Sequence, residues 1–180
     1  QSGEPWIFKS RVALAATLSG NYGIYNGFEL LEHEAIPGRE EYLNSEKYEI
    51  KVRDWDASGN IKSYIAALNL ARRANPALLQ TRNLRFIAID TDQIIAFTKQ
   101  SADGANTIVV AISLSRESYE FWLPLDSIRV KTTNGSAPPI ALENLMTGER
   151  HAIEWGGVRL RLDPLRDPAL LFRCLAGGPL

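Results

Sequence analysis

The sequence predicts a two-part α+β chain: a mainly helical stretch over residues 1–76, then an antiparallel β-sandwich over residues 77–180. Three observations predict it. A mostly apolar helical run extends from Pro5 to Leu18, and an amphipathic one from Ile61 to Asn75 is stopped by Pro76. Beyond Pro76 the pattern changes to short runs of β-branched and aromatic residues. Turn pairs such as Asp103-Gly104, Asn134-Gly135, Thr147-Gly148 and Gly156-Gly157 separate them.

In chain order, Pro5 suits the first turn of a helix, and the run to Leu18 becomes apolar nearly all round, so it should be buried on most sides. Gly20 is its expected stop. The short apolar piece Tyr22-Gly23-Ile24-Tyr25 leads into Asn26-Gly27-Phe28-Glu29 and predicts a buried parallel strand opening into a functional loop. Residues 31–60 are polar with no sustained period, and a loop of that length is usually functional or disordered. Asn60 is placed to cap the second helix, whose stripe is Ile61, Tyr64, Ile65, Leu68 and Ala71. Strands are expected over residues 84–89, 94–97, 107–112, 120–123, 140–145, 151–155, 158–162 and 169–172, with Trp122 and Trp155 inside the sandwich core.

Composition narrows the function classes. The chain has 180 residues, 45% of them hydrophobic, and a formal charge of -1, which leaves no electrostatic footprint for nucleic acid or an anionic membrane. No apolar run approaches the roughly 20 residues that span a bilayer. The first residues lack the layout of a signal peptide, and Cys174 stands alone, so a reduced cytoplasmic setting is expected. The chain begins with Gln1 and its only Met is Met146, which predicts a piece of a longer protein.

Several segments carry a resemblance. Residues 11–30, from Arg11-Val12-Ala13 through Gly20-Asn21-Tyr22-Gly23-Ile24-Tyr25-Asn26-Gly27-Phe28-Glu29-Leu30, resemble the last strand region of the family 13 glycoside hydrolase barrel. Glu40-Glu41-Tyr42-Leu43-Asn44-Ser45-Glu46-Lys47-Tyr48-Glu49 is similar to a loop of the α-1,4-glucan:maltose-1-phosphate maltosyltransferases within that family, and is the most specific match. Asn75-Pro76-Ala77-Leu78 with Leu84-Arg85-Phe86 resembles the exit from their barrel, and residues 144–150 a hairpin of their C-terminal β-domain. The resemblance implies the terminal strand and helices of a (β/α)8 barrel in residues 1–76 and the C-terminal sandwich in 77–180. The loop after the strand would then lie on the catalytic face.

The resemblance implies a retaining transfer of maltosyl units from maltose 1-phosphate to an α-1,4-glucan, with those two molecules as partners and no cofactor. Retaining chemistry needs two carboxyl groups about 5 Å apart. In the family these precede the segment matching Gln1, so no catalytic residue is assigned in this chain, which is expected to be inactive alone. Lys47 and Tyr48 match the pair that contacts the phosphate; by itself, Lys47 between Glu46 and Glu49 reads as a surface ion pair. An ammonium brings full charge and three donors to a phosphate, and the phenol adds another. Glu29 is the best placed of the acids present, with a structural acceptor as its plainer role. Trp55 is a candidate for an acceptor path, while His33 and His151 lie too far apart in sequence to propose a metal.

Two alternatives stay open: another amylase relative, such as a trehalose synthase or a hydrolase, or a non-catalytic β-sandwich that binds glycan or buttresses the barrel. Without the rest of a barrel, both helices must pack on the sandwich, on each other, or on a second copy of the chain.

Overall fold

The structure, a computed structural model, describes residues 3–39, 41–43 and 50–177. Helix α1 is Pro5–Leu18 and helix α2 is Lys62–Ala74. Single 3-10 turns follow each, at Phe28–Leu30 and Pro76–Leu79. Ten strands come next: β1 Leu84–Ile87, β2 Ile94–Gln100, β3 Thr107–Ser113, β4 Tyr119–Pro124, β5 Val130–Thr132, β6 Gly135–Ala137, β7 Ala141–Asn144, β8 Arg150–Ala152, β9 Gly157–Leu162 and β10 Ala169–Leu175.

Three layers result. The central sheet has the order β1-β2-β3-β10-β7-β8, antiparallel throughout. The two helices cover one face, and the β4–β9 pair covers the other, with the β5–β6 hairpin beside it. Strand β3 shows how the sequence builds this. All seven of its residues are buried, because both faces of the sheet are covered. Alternate side chains serve different cores: Ile108, Val110 and Ile112 meet Val12, Ala16 and Leu68 of the helices, while Val109 and Ala111 meet Phe121, Leu123 and Leu160. Apolar burial of this kind contributes about 25 cal/mol per Å² removed from water.

The helices therefore take two of the three outlets open to them, each other and the sandwich. Helix α1 packs closely because it carries small residues at Ala13 and Ala16, both fully buried. The helix ends at Leu18 with Ser19 already extended, and Gly20 just beyond admits a close neighbour: a Cβ there would come within 2.6 Å of the Leu79 carbonyl oxygen. The expected stripe of helix α2 packs inward, with Ile61, Ile65, Leu68 and Ala71 buried and Tyr64 partly so; the N-cap position falls to Ile61 rather than Asn60, whose side chain accepts from the Lys62 amide at 3.2 Å. At the exit, Asn106 of the β2–β3 turn donates to Asn75 (2.9 Å) and accepts from the Ala77 amide (3.1 Å). The Asn-Pro step thus fastens the helical layer to the sheet.

The end of α1 is held by two buried cations. Arg72 on α2 donates to the carbonyls of Ala16, Ser19 (3.1 Å) and Gly20 (2.9 Å), and Lys99 on β2 donates to Thr17 (3.0 Å). They satisfy the orphan carbonyls of a helix C-terminus and suit its partial negative charge.

Three expectations are corrected. Residues 22–25 form no strand; they pair with no other described segment, and Ile24 and Tyr25 are exposed. A parallel strand exists only through neighbouring strands, and the described residues supply none for it. Trp155 and Trp122 are not core residues: Trp155 is 94% exposed and Trp122 39%. Strand β4 alternates as expected, but Phe121 and Leu123 point inward and Trp122 outward. The β5–β6 hairpin was not expected, because its three-residue strands are mostly polar.

Candidate functional site

The chain leaving α1 turns sharply at Gly27, whose φ of 97° belongs to the left-handed region. Phe28 then packs on Phe8 of α1, ring centroids 4.9 Å apart, which anchors the turn to the helical layer. Gly27 is needed for a second reason. A Cβ there would lie 2.5 Å from the carboxylate of Glu32, so the glycine makes room for that side chain.

Glu32 is the electrostatic centre of the loop. Its Oε1 accepts from Arg53 Nε at 2.7 Å and its Oε2 from Arg53 Nη2 at 3.2 Å, a bidentate pair. Lys51 Nζ adds an ion pair at 3.1 Å. Arg53 also donates to the Asn26 carbonyl at 3.2 Å and approaches the Trp55 ring at 5.9 Å. The Arg53 hydrogen bonds, with help from Lys51, hold the Glu32 carboxyl below the usual carboxylate range against the opposing effect of burial. An ionised, fully engaged carboxylate cannot serve as a general acid. Its work is to tie residue 32 to residues 51 and 53, so that the intervening segment leaves and returns at one place.

The amide of Ile36 donates to Glu41 and that of Leu43 to Glu34, both at 2.9 Å, and Ala35 bridges Tyr42. Tyr42 packs against Tyr25 with centroids 5.5 Å apart. Between this small hairpin and Lys51 lies a cavity of about 220 Å³ lined by Leu31, Glu32, His33, Tyr42 and Leu43 among others. Glu29 sits beside α2, where its carbonyl accepts from the Ile61 amide at 2.9 Å. Its Oε2 is buried without a hydrogen-bond partner among the described residues. Trp55 is 40% exposed. Lys47 and Tyr48 lie outside the described residues, in the stretch between Leu43 and Ile50.

The sequence singled out Glu29, Lys47, Tyr48 and Trp55 but not Glu32, Lys51 or Arg53. Glu32 and Arg53 are 21 positions apart and share no short motif. The one available signal was Asn26-Gly27, a turn that admits a neighbour where a side chain would not. A larger groove, about 720 Å³, runs along edge strand β1 past Phe86, Arg85 and Arg129, in the sandwich.

No family model matches the chain. It is 46% identical over 178 residues to an alpha-1,4-glucan:maltose-1-phosphate maltosyltransferase of Rhodospirillum rubrum, with 96% of this chain and 25% of that protein covered. To the protein of the same name from Corynebacterium glutamicum it is 42% identical, with 96% of this chain and 26% of that protein covered. The chain thus spans about a quarter of the length of the curated relatives it matches, at their C-terminal end. Among solved structures it is similar to AmyP in complex with maltose, with TM-score 0.68, 18% identity, and 99% of this chain and 37% of that one covered. The alpha-amylase from Geobacillus thermoleovorans, complexed with acarbose, gives TM-score 0.66, 18% identity, and 97% and 34% coverage. At such identities these two show the fold: helices and C-terminal β-sandwich arranged as in the corresponding part of an amylase. No helix among the described residues is long and apolar enough to cross a membrane.

Proposed function

We propose that this chain is the C-terminal part of a bacterial, cytoplasmic maltosyltransferase that moves maltosyl units from maltose 1-phosphate to an α-1,4-glucan and so serves α-glucan biosynthesis. The observation that carries the proposal is identity of 46% over 178 residues, a match that covers 96% of the chain. Residues 1–76 are assigned to the end of the catalytic barrel and 77–180 to the C-terminal sandwich. Under this reading the retaining carboxylates lie outside this chain, and the isolated chain is inactive.

The chain's own contribution is the phosphate grip. Lys47 supplies a full positive charge and Tyr48 a hydroxyl donor to the phosphate of the donor sugar. When the bond from the anomeric carbon to the phosphate oxygen breaks, charge accumulates on that oxygen, and a cation held there stabilises the developing anion. The Glu32–Arg53–Lys51 latch supports this role, because it fixes both ends of the loop that carries the pair. Self-association of the isolated chain is part of the proposal, through apolar side chains such as Leu70, 60% exposed on α2.

The test is phosphate release from maltose 1-phosphate by the whole protein that contains this chain, with and without glucan. Release should require the acceptor, and Lys47→Ala should lower it by about 10²-fold, the scale of losing one transition-state donor. Conversion of maltose or trehalose without phosphate release would instead place the chain in another amylase relative and leave Lys47 a surface charge.

A further inference from the structure

The turn that joins β8 to β9 is built against its own sequence. The amide of Glu154 donates to Gly157 (2.9 Å) and that of Gly157 to Glu154 (3.0 Å), closing a two-residue hairpin on Trp155-Gly156. Both central residues have positive φ, 53° at Trp155 and 78° at Gly156, as a type I′ turn requires. Asn, Asp or Gly normally takes the first of these positions; a bulky residue there is a strained outlier. Burial cannot offset the cost, since Trp155 is 94% exposed.

The turn is nevertheless firmly seated. The Leu125 amide donates to the Gly156 carbonyl at 2.7 Å, and Gly156 passes so close to Asp126 that a Cβ would overlap its carboxylate. Trp122 of β4 lies against Gly157, where a Cβ would sit 2.5 Å from its ring, and it keeps 39% of its surface exposed. Its cross-strand partner is Arg159, and Glu120 faces Arg161. These three charged side chains point outward and form no ion pair among the described residues. The β4–β9 pair and the turn that leads into β9 therefore carry two exposed indoles, Trp122 and Trp155, beside outward guanidinium and carboxylate groups.

We propose that this surface binds an α-glucan chain as a non-catalytic docking site, with Trp155 and Trp122 stacking on pyranose faces. A sugar ring presents apolar C–H faces and a rim of hydroxyls; an indole suits the first, and Arg159, Arg161 and Glu120 suit the second. The charged flanks disfavour a dry protein interface, whose core is depleted of charge. The site rests on the maltosyltransferase reading for its choice of polymer, and it would hold the acceptor near the enzyme without taking part in transfer.

The test is native electrophoresis of the full 180-residue chain in gels with and without soluble amylopectin. Trp155→Asn is the chosen variant because asparagine is favoured at that turn position, so the fold is kept and should melt no lower than wild type. Wild type should be retarded by amylopectin, while W155N and Trp122→Ala should raise the apparent Kd by at least about tenfold, or roughly 1.4 kcal/mol. Absence of retardation, or retardation unchanged in W155N, overturns the proposal. So does concentration-dependent dimerisation that needs Trp155 but no glucan, which would make the patch a contact between copies. Phosphate release by the whole protein separates the two readings. Release without amylopectin binding refutes this site alone, and binding without release refutes the maltosyltransferase reading alone.

Discussion

Arg72→Met tests the claim that two buried cations hold the end of α1, one from α2 and one from strand β2. Arg72 is 7% exposed and donates to Ala16, Ser19 and Gly20, with its guanidinium 5.0 Å from the Tyr22 ring. The substitution keeps most of the stem but strips the end of α1 of its donors. Charge-assisted hydrogen bonds contribute about 1.5–3 kcal/mol each, and relief of the buried charge returns part of that. A net loss of about 3–5 kcal/mol is expected, comparable to breaking a buried pair. With a urea m-value of roughly 2 kcal/mol/M for a chain of this size, the midpoint should fall by about 1.5–2.5 M in a titration followed by far-UV circular dichroism. Arg72→Lys, which keeps charge but loses the planar fork, should recover less than half. A midpoint within about 0.5 M of wild type for Arg72→Met would refute the reasoning, since the carbonyls would then have found other partners.

Two further perturbations address ionisation. Lys99 is fully buried; burial, and secondarily the nearby Arg72 charge, pushes its pKa down to about 8 from 10.5. Between those values the folded chain binds fewer protons than the unfolded one, so the Lys99 contribution to stability should rise from pH 8 to about 10.5. Cys174, pushed up to about 12 by burial, acts in the opposite sense above pH 9. The quantity to measure is therefore the difference between wild type and Lys99→Met across that window, and a flat difference would contradict the assignment. The depressed Glu32 pKa also makes stability rise with pH, in a lower window: its stabilisation is present above about pH 4.5 and is lost as pH falls through the folded value. Glu32→Gln should destabilise the latch by about 1 kcal/mol at neutral pH. Amide exchange over residues 32–36 and 51–53 should report it, and unchanged protection at pH 7 would count against the latch.

Much of the fold was legible in the sequence because the sandwich and helices are specified by local pattern. Strand β3 reads as a continuous apolar run and lies buried on both faces. The stripe of α2 is the stripe that packs, and Asn60 and Pro76 stand at its two ends. Such features depend on the residues within one turn or one strand, so periodicity alone reveals them. The reading of residues 40–49 rests on a resemblance rather than on any physical pattern.

What only the tertiary structure decided involves partners distant in the chain. Residues 22–25 have a strand's composition, yet strand formation is a property of the neighbours, and no described strand lies beside them. Glu32 and Arg53 meet only because Gly27 turns the chain and leaves space for the carboxylate. Lys99, a residue usually placed at the surface, ends fully buried because the end of α1, 82 positions earlier, offers carbonyls in need of donors. Trp155 goes the other way. Its size and hydrophobicity argue for the core, but the two-residue hairpin between β8 and β9 fixes its direction, and backbone hydrogen bonding at the turn decides the matter against the side chain's own preference. Composition sets what a residue would bury if free to choose; the closure of strands and helix ends decides where it points.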